Sequence, residues 1–298
     1  MLQRLSRSLV GFCGFLLTSA IICSPELTQA HPVRLAQSNG QSAEASVTQG
    51  LQFIQQGKLN EAIAAFRQAT KLNPQMSAAH YNLGLALRQQ GQLQDSASAF
   101  YQATQADPSF ALAFANLGAA LIEGNNLAQA QDYLQRSLEL NPNLGLSHYN
   151  LGLVLELQGN LEAAIVAFRA AAQFSPTAPE PLYHLGLVYQ KQQKSEAAIA
   201  AFRQALQRNP SYAEAHYSLG SILFAQGDLE AALQSFRRST QANPTYANAY
   251  YAAGLVFLKQ NKPKDAQQVL QYAKNLFANQ KNLAWATKAE QQLKKIPR

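Results

Sequence analysis

The chain has 298 residues, of which 47% are hydrophobic, and a formal net charge of +7. The charge is uneven: residues 31–258 carry 13 basic and 14 acidic side chains, and residues 259–298 carry 9 basic and 2 acidic ones. A uniformly basic nucleic-acid surface is thereby excluded, and no nucleic-acid partner is expected.

Residues 1–30 read as an export signal. Arg4 and Arg7 supply the positive start, and Leu9 to Cys23 is a largely apolar run of 15 residues. That run is shorter than the roughly 20 residues a membrane-spanning helix prefers. Thr28, Gln29 and Ala30 offer small residues at cleavage spacing. The expected location is therefore extracytoplasmic, in a periplasm or its equivalent, with an uncleaved membrane tether through residues 1–30 as the alternative. Both cysteines, Cys13 and Cys23, lie in this segment, so none remains after it for a disulfide framework. Residues 31–42 are polar and read as a short linker.

From Ala43 to Gln280 the sequence repeats every 34 residues without insertion, seven times: 43–76, 77–110, 111–144, 145–178, 179–212, 213–246 and 247–280. Position 8 is Gly50, Gly84, Gly118, Gly152, Gly186, Gly220 and Gly254. Position 20 is Ala in every repeat except the second, which has Ser96. Position 24 is Phe or Leu, and position 32 is Pro until Ala278 replaces it in the last repeat. Apolar residues recur at helical spacing in both halves of each repeat. Position 15 ends the first half and is Gly or Asn six times, as suits a left-handed helix cap, with Gln193 as the exception. Neither helix can bury its apolar face alone, so copies must stack. Small residues at positions 8 and 20 let two helices approach, and the position 24 side chain fills the space between repeats. Residues 281–298 depart from the pattern. Leu283, Trp285, Ala286 and Leu293 predict an apolar stripe on a final capping helix, with Lys294 and Lys295 near its end.

Leu-Gly at positions 7 and 8, Ala at 20, Phe at 24 and Pro at 32 resemble the tetratricopeptide repeat family over residues 43–280. Two departures are terminal: Gln49 stands where Leu is expected, and the last repeat lacks its Pro. The resemblance implies an all-α, right-handed superhelical solenoid of helix-turn-helix repeats. It also implies that first helices line a concave groove, with positions 2, 5, 6, 9, 12 and 13 facing a bound peptide.

Those positions supply the candidate binding residues. Position 5 gives Tyr81, Tyr149, Tyr183, Tyr217 and Tyr251; position 6 gives Asn82, Asn116 and Asn150; position 9 gives Leu85, Leu153 and Leu187. An Asn amide carries both a donor and an acceptor and can satisfy one peptide unit of a bound chain. The three asparagines resemble the ladder in the repeat superhelix of O-linked N-acetylglucosamine transferases, although this chain has no room for that family's catalytic domain. Tyrosines add apolar area with a polar tip. The bland alternative is that Tyr-Asn at these positions serves packing and solubility.

No phosphate loop, dinucleotide fingerprint, zinc-protease helix or nucleophile elbow occurs. No catalytic residue, metal ligand or cofactor is therefore expected, and the chain does not read as an enzyme. His80, His148 and His216 share position 4 of alternate repeats. With helices 8–10 Å apart they would stand roughly 20 Å from one another. Zinc–nitrogen bonds are about 2 Å, so these residues are expected to be packed histidines, each with a local hydrogen bond. The leading expectation is an exported scaffold or adaptor that binds an extended polypeptide segment in its groove. The alternative is an assembly factor that docks folded subunits or a membrane complex through other faces and the basic C-terminal end.

Overall fold

The structure is a computed structural model that describes residues 42–296. The segment read as an export signal, and the linker up to residue 41, lie outside the described residues. Fifteen α-helices and no strand occur among those described, and no helix there is long and apolar enough to cross a membrane. Contacts divide the chain into two compact units, 1–150 and 151–298, with the boundary inside α7 (Gly145–Leu157).

In the first unit α1 (Ala43–Gln55) pairs with α2 (Leu59–Leu72), α3 (Ser77–Gln89) with α4 (Leu93–Ala106), and α5 (Ala111–Glu123) with α6 (Leu127–Leu140). α2 also meets α3, and α4 meets α5, so each pair stacks on the next. In the second unit α8 (Leu161–Phe174) meets α9 (Glu180–Lys191), which pairs with α10 (Ser195–Arg208). α11 (Ala213–Gln226) then pairs with α12 (Leu229–Ala242), and α13 (Ala247–Lys259) with α14 (Pro263–Asn279). α15 (Leu283–Lys294) closes the unit against α14.

Each pair is held by one close approach. A Cβ on Gly84 would sit 2.7 Å from Cδ1 of Phe100, and one on Gly186 would sit 2.5 Å from Cε1 of Phe202. These distances are below van der Waals contact, so position 8 must be Gly for the position 24 ring to lie where it does. The rings at Phe66, Phe100, Phe168, Phe202 and Phe236 are wholly buried. Phe100 also touches Leu117 and Ala120 of the following repeat, which joins one pair to the next. At Ser96, where Ala is usual, the buried hydroxyl donates to the Gly84 carbonyl at 2.8 Å.

The stops follow the same logic. Position 15 is left-handed in all seven repeats, including Asn125 (φ 58), Gln193 (φ 60) and Asn261 (φ 56). Before the prolines, Asn73, Asp107, Asn141, Asn209 and Asn243 leave helical geometry, as Pro demands of its predecessor. Each turns its side-chain oxygen to accept the N–H two residues on. Ala278 imposes no such stop, and α14 runs to 17 residues against 14 for the other second helices.

α15 differs from expectation in one respect. Leu283, the first residue of the helix, is 69% exposed. The rest of the expected stripe is covered: Ala286 is buried together with Ala289, and Trp285 and Leu293 are half-buried. Trp285 packs against Phe277 and Tyr251, at ring-centroid distances of 5.8 and 5.5 Å. Counting on by 34 places Trp285 at position 5 and Lys288 at position 8 of an eighth register. No described helix covers the far side of α15, so a long side chain fits where Gly is otherwise required. Lys288 lays its ammonium over the Trp285 ring, 3.8 Å from the centroid.

Candidate peptide-binding surface

The first helices carry the candidate residues, and the structure sorts them into two groups. Tyr81, Leu85 and Tyr149 of the first unit, and Leu153, Tyr183, Leu187, Tyr217 and Tyr251 of the second, are all half-buried. They form a stripe in each unit that is packed on one side and open on the other. Asn116 and Asn150 are both 5% exposed, whereas Asn82 is half-buried.

The tyrosine rings are held from beneath. Tyr81 packs on Phe100 and Phe110 at 5.7 and 5.0 Å, Tyr183 on Phe202 and Tyr212 at 5.8 and 4.9 Å, and Tyr217 on Phe236 and Tyr246 at 5.8 and 5.4 Å. Burial pushes the Tyr81 hydroxyl up to about 12, partly offset by its bond to Asn116. Burial also raises Tyr183 to about 12, against a bond to Ser218. A hydroxyl at position 5 thus meets the position 6 residue of the next repeat.

This geometry occupies the asparagine amides inside the fold. Asn82 donates to the Ala78 carbonyl one turn back at 2.8 Å. Asn116 donates to the Leu112 carbonyl at 2.9 Å and to the Tyr81 hydroxyl at 3.2 Å. The equivalent partner for Asn150 would be residue 115, which is Ala and carries no hydroxyl; the buried Asn150 amide nitrogen has no hydrogen-bond partner. In sequence these three residues form one series. In the structure they differ, because the partner comes from the preceding repeat.

Sequence reasoning passed over a charged element on the same helices. Glu156 is 7% exposed, accepts from Lys191 Nζ at 2.5 Å and lies 3.3 Å from His184 Nδ1. Burial alone would raise its carboxyl, but His184 and Lys191 outweigh that and hold it below the usual carboxylate range. His184 is itself stacked on Phe168 at 5.5 Å. In the first unit Arg88 and Glu123 pair at the same two positions with the signs exchanged. Lys259 over the Phe224 ring, 4.6 Å from its centroid, is the corresponding contact near the other end. The readable signal was opposite charge at position 12 of one repeat and position 13 of the next.

The histidines at position 4 do as expected. His80, His148 and His216 place Nε2 at 2.9, 2.8 and 2.9 Å from the carbonyls of Pro74, Pro142 and Pro210, closing the turn before their own helix. Among the described residues no three His, Cys, Asp or Glu side chains gather to hold a metal ion.

Profiles of the tetratricopeptide repeat match residues 47–109 and 183–247, 111–144, 133–166, 157–193 and 223–290, together nearly the whole repeated region. The chain belongs to the tetratricopeptide repeat family. None of the curated protein sequences is significantly similar to it. Among solved structures, it resembles YrrB, described as a TPR protein with an unusual peptide-binding site. The identity is 25% and the TM-score 0.52, over 65% of this chain and 99% of that one. A tetratricopeptide repeat protein from Parabacteroides merdae aligns at 18% identity and TM-score 0.63, over 83% and 100% of the two chains. The pilF protein of Pseudomonas aeruginosa aligns at 20% and 0.63, over 72% and 97%. The fold is that of a protein-interaction scaffold, and repeats of this family are generally non-catalytic.

Proposed function

We propose that this tetratricopeptide repeat protein is an exported scaffold that binds an extended polypeptide along its first helices. The observation that carries the reading is the half-buried stripe of Tyr and Leu at positions 5 and 9. Its rings are braced from below, so they meet a ligand with little entropy left to lose. Apolar area with polar tips suits a peptide whose backbone still needs hydrogen bonds. Similarity to YrrB, a protein with a peptide-binding site, supports the same reading. The asparagines contribute less than a ladder would, since Asn116 is already bonded within the fold and the Asn150 amide nitrogen is buried. Export rests on the charge and length pattern of residues 1–30.

The test is cross-linked capture from the native host with residues 31–298 as bait, beside a variant carrying Leu85→Ser, Leu153→Ser and Leu187→Ser. Melting curves establish that both baits are folded. A partner captured by the parent and lost by the folded variant supports the groove. A partner held equally by both overturns it and favours docking through other faces.

A further inference from the structure

The second unit has another surface, on its second helices. A groove of about 700 Å³ runs between α10 and α12, floored by α11. Its walls carry Arg203, Gln207, Gln234 and Arg238, and its floor carries Leu219 and Leu223; no acidic side chain lines it.

The preceding groove, between α8 and α10, is the internal comparison. There Arg169, at position 25, donates to the Tyr189 hydroxyl at 2.6 Å. On the same groove Arg208 caps α8 by donating to the carbonyls of Ala172 and Ala178 at 3.0 and 2.8 Å. Both guanidinium groups are consumed by the fold. Arg203 holds the same position 25 one repeat on, but the residue matching Tyr189 is Leu223, which accepts nothing. Neither Arg203 nor Arg238 has a hydrogen bond or ion pair among the described residues, and both are exposed. The Tyr-to-Leu change leaves Arg203 without that partner, and Arg238, at position 26 of the next repeat where the preceding one has Gln204, adds a second planar, always-charged donor to the same cleft.

We propose that the α10–α12 groove is a second docking site, for an acidic protein segment that also carries a large apolar residue. Guanidinium groups pair with carboxylates through two parallel hydrogen bonds. The amides of Gln207 and Gln234 can serve the segment's backbone. Leu219 and Leu223, buried but for a strip at the bottom of the groove, give its apolar side chain a surface to lie against. A free phosphate or lipid headgroup would use the arginines but leave the leucine floor uncovered. The site is distinct from the Tyr–Leu stripe, so one chain can hold two ligands.

The experiment uses the purified protein and three fluorescein-labelled peptides: alternating Glu and Leu, alternating Glu and Ser, and alternating Lys and Leu. Anisotropy should show binding by the Glu-Leu peptide, weaker binding by Glu-Ser, and none by Lys-Leu. Affinity should fall as salt rises. Arg203→Glu with Arg238→Glu should weaken binding by about tenfold or more, on the scale of two solvent-facing ion pairs lost and reversed. Arg203→Gln with Arg238→Gln should give an intermediate loss and provides the reading if the first pair fails to fold. Leu85→Ser, Leu153→Ser and Leu187→Ser together should leave this binding unchanged, which separates the site from the stripe. Four results would each overturn the proposal: no binding of the Glu-Leu peptide, equal affinity for the Gln variant, loss of binding with the stripe variant, or displacement by inorganic phosphate at ordinary ionic strength.

Discussion

At the scale of single residues, backbone conformation and buried charge decide the outcome. Gln193 occupies a left-handed position (φ 60) at which four repeats use Gly. A side chain there costs about 1–2 kcal/mol, part of which Gly returns through the entropy of the unfolded chain. Gln193→Gly should therefore be neutral or stabilise by up to ~1 kcal/mol, read from urea unfolding. Glu156 carries the opposite lesson. Its folded pKa lies below the ordinary carboxylate value, so its contribution is complete above that value and is lost as pH falls through the lower, folded one. Stability measured across the acidic range should fall less steeply in Glu156→Gln. Lys191→Met leaves the carboxylate buried with one fewer donor and should cost roughly 1–3 kcal/mol at neutral pH. The left-handed stop at Gln193 was legible from its neighbours in the period. The Glu156 cluster was legible only in part: its lysine stands one period and one residue on with opposite charge, whereas the His184 contact, 28 positions away, carries no such signal.

At the scale of helices, stability resides in the contact between position 8 and position 24. Gly186→Ala places a methyl 2.5 Å from a fully buried ring that has nowhere to turn. It should destabilise by about 1–3 kcal/mol, seen as a lower melting temperature. Position 14 supplies a lighter tie between neighbouring repeats: Gln192, Gln226 and Gln260 donate to Glu162, Glu196 and Glu230 at 2.9, 3.0 and 2.7 Å. The helix pairs and their stops could be read from sequence, since Gly, Pro and the residue before Pro act locally. The face of α15 was legible except at its first residue. Leu283 is apolar and at stripe spacing, yet it is exposed while Ala286 and Ala289 take the buried face.

At the scale of the molecule, the array is a chain of nearest-neighbour contacts, so fold and function separate cleanly. Periodicity dictates a tetratricopeptide solenoid whatever its ligand. What varies between repeats is what faces outward, and there the sequence was only half legible. The Tyr and Leu positions of the stripe are where the pattern put them, and they stay partly open. The asparagines read as one ladder but differ in partner, because residue 115 is Ala where residue 81 is Tyr. A surface reading therefore requires two successive repeats to be considered together.

The charged contacts add a rule about editing such a chain. Glu156 meets a cation at position 13 of the repeat that follows it, and Lys191 and Lys259 both hold that position, whereas residue 225 between them is Ala. The working cassette is thus two repeats long. Excising residues 179–246 would splice Glu156 next to Lys259 and keep the lysine contact, with Ala252 standing where His184 was. Excising residues 179–212 alone would leave the carboxyl facing Ala225. That shorter deletion removes both His184 and Lys191 and should raise the Glu156 pKa in the folded state, so the contribution of this one group should favour folding as pH drops, opposite in sign to its contribution in the parent chain. Chemical denaturation of the two deletions at matched pH values would distinguish a chain that tolerates recombination in pairs from one indifferent to parity.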